Sequence, residues 1–172
     1  MEVLARHNIN VTGRTDAQPM LFAHGFGCDQ NMWRDVAPNF SDDFRVILFD
    51  HVGAGGSDLA ASDAEKYASL DGYAADVVEI YRQLDLRNVI VVGHSVSAMI
   101  RVLAARSEPD RFDKLVLVGP SPRHLDDDSY RGGFSASDIA EFARVLGKQL
   151  SRLVQRNGPG HNGQPRPPRF GR

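Results

Sequence analysis

The sequence predicts an α/β protein: a mostly parallel sheet with helices on both faces, incomplete at its carboxyl end. Three observations carry this expectation. Short apolar runs, PMLFA (19–23), RVILFD (45–50), NVIVVG (88–93) and KLVLVG (114–119), read as strands buried on both sides. Amphipathic segments at helical spacing separate them. Glycine-rich or small-residue segments follow the strands, where such sheets bind their ligands.

The elements follow in order. Val3, Ile9 and Val11 suggest an opening hairpin. PMLFA ends at His24-Gly25-Phe26-Gly27. Asp29 can cap a helix that carries Met32, Trp33 and Val36, with Trp33 read as core. After RVILFD, Ser69 or Asp71 can open a helix with Tyr73, Val77, Ile80, Tyr81 and Leu84 on one side. NVIVVG then leads into a helix over 96–107, and KLVLVG is the fourth strand. No internal repeat is present.

The chain has 172 residues, 42% of them hydrophobic, which suits one domain with a real core. Cys28 is the only cysteine, so no internal disulfide and no multi-cysteine metal site can form. No run approaches the ~20 apolar residues of a membrane span. The amino terminus lacks a signal peptide's apolar core. A cytoplasmic protein with no cofactor is expected. Charge is uneven: residues 1–141 hold 13 basic and all 22 acidic residues, while 142–172 hold seven basic and none acidic. The last 31 residues also carry five glycines and four prolines. That composition cannot offset its own ordering entropy. The expected organisation is a domain over 1–141 and a largely disordered basic tail over 142–172.

The chemistry is expected at the strand ends. Gly93-His94-Ser95-Val96-Ser97 matches G-x-S-x-G except for its last position. With a strand before and a helix after, it reads as a nucleophile elbow that lifts Ser95 above the sheet. The competing reading is a serine that only caps a helix. Ser97 in place of glycine is expected to crowd the turn slightly. The loop at His24–Gly27 can turn backbone N–H groups toward the site, and Phe26 and Val96 are the expected oxyanion donors. His24 is read as a structural histidine that orients this loop, and His51 as a loop residue. The stretch Gly53 to Asp58 is no P-loop and no dinucleotide fingerprint, because Asp58 stands where the last glycine belongs.

HGFGCDQNMW, RVILFDHVGAGGSDL, LDGYAADV, VVGHSVSAMI and LVLVGPSPRHL, in that order, resemble the α/β-hydrolase family. Within it they are similar to the small hydrolases of the RsbQ type and the plant karrikin and strigolactone receptors. The resemblance covers residues 5–141. It implies an eight-stranded sheet, a helical lid opening near Tyr130, and a pocket for a small hydrophobic ester or lactone-like ligand. Ser95 carries over as nucleophile, and Phe26 and Val96 as oxyanion donors. A ligand sensor that signals through a protein partner, a PAS-domain phosphatase in the RsbQ case, is the alternative it implies.

The family's acid and base follow a seventh and an eighth strand, and this chain shows neither strand. His124 and His161 are the histidines after Ser95, and neither has the expected strand before it. Read one nucleotide later, codons compatible with residues 143–168 can encode an amphipathic lid helix with an aromatic end. A frameshift near Phe142 is therefore expected to have produced the tail. Nucleic-acid binding has only the basic tail behind it, with no groove-reading module.

Overall fold

A computed structural model of the protein describes residues 2–142, 144 and 145. The chain divides into two units, Met1–Pro122 and Arg123–Arg172. No helix among the described residues is long and apolar enough to cross a membrane.

The first unit is built on a five-stranded sheet in the order β1-β3-β2-β4-β5. Its strands are β1 (Asn10–Gly13), β2 (Pro19–Ala23), β3 (Arg45–Phe49), β4 (Val89–His94) and β5 (Phe112–Val118). All neighbours run parallel except β1, which pairs antiparallel with β3. The helices are α1 (Val3–Arg6), α2 (Leu70–Gln83) and α3 (Val96–Ser107).

Strand alternation divides the core in two. Leu21, Ala23, Ile47, Val89 and Val91 face one way, against Val77, Ile80 and Tyr81 of α2 and Ile100 and Ala104 of α3. Met20, Phe22, Val46, Ile90 and Val92 face the other way, against Trp33 and Ala37. On that second face the cover consists of 3-10 turns, Gln30–Trp33 and Ala37–Phe40. Asp29 caps the first of these by accepting the Asn31 N–H at 2.8 Å, so the expected helix is a single tight turn. Ser69 opens α2 by accepting the Asp71 N–H.

The opening hairpin is not formed. Arg6, His7 and Ile9 donate their N–H groups back to Glu2, Val3 and Leu4, closing α1 and using donors that a hairpin would need. Val3 is buried beneath the helices, and β1 takes its partner from β3. A buried carboxylate fastens α1 to α2. Asp76 accepts from Lys66 Nζ at 2.6 Å and from the Tyr67 hydroxyl at 2.8 Å, with Arg6 at 3.7 Å.

In the second unit Phe134 donates its N–H to His124 and accepts from Asp126. A helical run at 136–142 and 144–145 follows. It opens on a reciprocal cap: Asp138 N–H to the Ser135 hydroxyl, and Ser135 N–H to the Asp138 carboxylate. The helix expected from Ile139 through Leu150 thus begins at residue 136. The remainder of the expected tail, and any frameshift product within it, lies outside the described residues.

Candidate active site

β2 feeds β3 on one side, and β4 returns on its other side. The carboxyl ends of β2 and β4 therefore flank a topological switch point, where ligands enter open α/β sheets. Ala23 pairs with Gly93 in register, so His24–Phe26 and His94–Ser95 leave the sheet as neighbours.

Ser95 sits between β4 and α3 with φ 54° and ψ −119°. A non-glycine residue in that region costs about 1–3 kcal/mol, which surrounding structure must impose. Here the Ser95 N–H donates to the Val118 carbonyl of β5 at 2.9 Å, and its carbonyl accepts the Ala98 N–H at 3.0 Å. Gly93 lets strand and helix approach: a Cβ there would lie 2.9 Å from the Ser97 carbonyl oxygen and 3.0 Å from the Ala98 nitrogen. Val96 opens α3, where a backbone N–H has no partner within the helix. Phe26 lies in the turn after β2 with its ring largely exposed. Gly25 supports that turn at close quarters, since a Cβ there would meet His94 Nδ1 at 2.4 Å.

A closed set of hydrogen bonds joins three strand-end loops. The Ser97 hydroxyl donates to the His24 carbonyl at 2.5 Å and lies 2.7 Å from His51 Nε2. Its single proton is used on the carbonyl, so His51 Nε2 carries a hydrogen and donates. The His51 N–H donates to His24 Nε2 at 3.1 Å, and His24 Nδ1 then donates to the Gly25 carbonyl at 2.9 Å. Ser97 is fully buried and bonded on both sides, so it links the elbow to the loops where crowding was expected. Burial holds His24 below its ordinary pKa. Burial, with the Arg101 charge second, holds His51 well below it. Both rings are thus neutral structural groups, as expected for His24.

Asp50 organises the next loop. Burial alone would raise its pKa, but bonds from the Asn8 amide, the Gln30 backbone and side chain and the Gly56 N–H outweigh it and lower the value. Those bonds span 2.8–3.1 Å.

Under the site lies a buried cation. Arg101 of α3 is 0% exposed, and its guanidinium stacks on the Phe49 ring at 4.9 Å. The Tyr81 hydroxyl is its polar neighbour, yet neither group completes a hydrogen bond of ordinary geometry among the described residues. Burial lowers the Arg101 pKa to about 10 and raises that of Tyr81 to about 12.

Ser95, Phe26 and Val96 thus lie at two adjacent strand ends. Sequence reasoning missed the Ser97–His51–His24 linkage and Arg101. Their signal was present: 97, 101 and 104 share a helix face with Ile100, so Ser97 and Arg101 are polar residues on a core stripe. Among the described residues no side chain hydrogen-bonds the Ser95 hydroxyl.

The profile of the alpha/beta hydrolase fold matches residues 18–156. The chain belongs to the α/β-hydrolase family. It is 45% identical over 140 residues to the karrikin insensitive 2 receptor CA of Petunia hybrida, covering 81% of this chain and 52% of that one. Against strigolactone esterase D14 of Arabidopsis thaliana the identity is 42% over 144 residues, covering 84% and 54%. A solved hydrolase from Oleispira antarctica superposes with a TM-score of 0.80 at 42% identity, over 90% of this chain and 56% of that chain. The chain therefore spans about half the length of the curated relatives it matches.

Proposed function

We propose that this chain supplies the nucleophile and oxyanion hole of a cytoplasmic serine hydrolase for a small hydrophobic ester or lactone-like ligand. The observation that carries this reading is the backbone of Ser95, held at positive φ where β4 turns into α3. The Ser95 oxygen attacks the ester carbonyl carbon, and its proton passes to a base. The carbonyl electron pair moves onto oxygen, where the N–H groups of Phe26 and Val96 stabilise it. Collapse expels the alcohol with that proton, and water then hydrolyses the acyl-serine. His24 and His51 are buried and bonded at both the loop and the elbow, which leaves the base to come from elsewhere.

A second reading, ligand sensing through a protein partner, is favoured by the receptor names among its relatives; a PAS-domain phosphatase is the partner class that the resemblance to RsbQ implies. The test is acylation by p-nitrophenyl butyrate, followed by peptide mass spectrometry. Slow acylation at Ser95, abolished in Ser95→Ala, is expected. Turnover by this chain alone should stay near the ~10³–10⁴ over water that binding and an oxyanion hole leave without a base. Acylation that persists in Ser95→Ala overturns the assignment.

A further inference from the structure

We infer that Ser97 and His51 are positioning residues for the oxyanion hole: acting through His24, they set the direction of the Phe26 N–H. This role rests on the proposed serine chemistry, in which Phe26 is one of two backbone donors.

The Gly25–Phe26 peptide fixes the geometry. No cis peptide bond occurs among the described residues, so the Phe26 N–H points opposite to the Gly25 carbonyl. Whatever holds that carbonyl therefore aims the N–H. The Gly25 oxygen accepts the Cys28 N–H at 3.3 Å and His24 Nδ1–H at 2.9 Å. Both bonds hold the oxygen inside the turn, one of them against a buried ring. The Phe26 N–H faces the other way and donates to no backbone carbonyl among the described residues. His94, the residue before Ser95, closes the Cα side of Gly25, since an added Cβ would stand 2.4 Å from its Nδ1.

The His24 ring can hold the Gly25 oxygen in one neutral tautomer only. Nδ1 must carry the hydrogen, and Nε2 must accept. The His51 N–H, 3.1 Å from His24 Nε2, selects that tautomer. The His24 carbonyl is held separately, by the Ser97 hydroxyl at 2.5 Å. His51 is anchored in turn through its Nε2, 2.7 Å from the Ser97 oxygen. One hydroxyl thus controls His24 twice: the carbonyl directly, and the imidazole through His51. All three side chains are buried, so water does not compete for these bonds. A link that only tied loops together would be complete at the His24 carbonyl. The second arm continues to the Gly25 carbonyl, which shares a peptide group with the Phe26 N–H.

The test compares two acyl donors on the full 172-residue chain: p-nitrophenyl butyrate and its thiono analogue, in which C=S replaces C=O. In each, a bond forms from Ser95 Oγ to the carbonyl or thiocarbonyl carbon. Nitrophenolate leaves with the bonding pair, and the serine proton goes to solvent. Sulfur accepts hydrogen bonds weakly, so an aimed oxyanion donor favours the oxygen ester. Acylation at Ser95 is followed by peptide mass spectrometry. Ser97→Ala and His51→Leu should each slow the oxygen ester about 100-fold, the low end for loss of one oxyanion donor. The thionoester should slow far less, so the ratio of the two rates falls. His51→Gln, which keeps a side-chain N–H for Ser97, should keep most of that ratio. Imidazole nitrogen NMR spectra of the unaltered chain should show hydrogen on Nδ1 of His24 and on Nε2 of His51. The opposite tautomer of His24 overturns the positioning role, whether or not the variants fold. Equal slowing of both esters, or an unchanged ratio, overturns it as well. If Ser95 of the unaltered chain is acylated by neither ester, the hydrolase reading is overturned and this role falls with it.

Discussion

The Ser97 hydroxyl lies 2.7 Å from Nε2 of His51, across 46 residues of sequence, and both side chains are buried. A residue next to the elbow is thereby joined to the loop after β3, and through the His24 carbonyl to the loop after β2. Ser97→Ala removes an acceptor from His51 and a donor from His24. Leaving buried partners unsatisfied costs about 1–3 kcal/mol each. We expect a loss of about 2–3 kcal/mol by urea denaturation. A change below a few tenths would show that the linkage contributes little.

Acid should unfold this protein early. His7, His24 and His51 all have depressed pKa values in the fold, with burial the leading cause. The hydrogen-bond directions agree. His7 Nε2 accepts from Arg6 and His24 Nε2 accepts from the His51 N–H, so protonation at either nitrogen would set donor against donor. The unfolded chain takes up protons near pH 6.5 that the folded chain refuses. The stability they contribute is fully present above about pH 6.5 and is lost as pH falls toward the depressed values. Three such groups give a slope approaching about 4 kcal/mol per pH unit. Thermal melts between pH 8 and pH 5 should be flat at first and then fall steeply. A constant Tm across that range would show the rings already charged in the fold.

Arg101→Met should stabilise the chain. Burial, the leading cause, pulls the Arg101 pKa down to about 10 and so weighs against the charged form. Contact with the Phe49 ring offsets only part of that. Replacing a buried ion with an apolar side chain of similar volume often gains 1–4 kcal/mol. We expect about 2 kcal/mol by chemical denaturation. A large loss would reveal an anionic partner for the guanidinium.

Ser95→Gly should likewise raise stability, by about 1 kcal/mol, because glycine adopts positive φ without the Cβ penalty. The same change should end acylation by p-nitrophenyl butyrate. A less stable Ser95→Gly variant would mean that the hydroxyl makes contacts that outweigh its strain.

The strands were legible because parallel strands buried on both sides leave unbroken apolar runs. The α3 boundaries matched because the elbow fixes where a helix can begin. What escaped depends on contacts distant in sequence. Nothing near Val3 signals that its side chain will pack under α2, so a helix stood where a hairpin was expected. The turn at Gln30–Trp33 is short because the chain must drop back onto the sheet to bury Trp33 against Phe22. Ser97 resembled an imperfect glycine until His24 and His51 were brought to it. Arg101 occupied a core position in plain sight, but helix periodicity says where a residue points and not whether its charge finds a partner.

The bond from the Ser95 N–H to the Val118 carbonyl makes the outermost strand a safety catch for the elbow. The strained serine is held from both sides: by the start of α3, and by the last residue of a strand that, among the described residues, pairs with β4 alone. If β5 frays, that tether is lost, and Ser95 is free to relax into an ordinary conformation. Whatever steadies the rim of the sheet therefore also arms the serine.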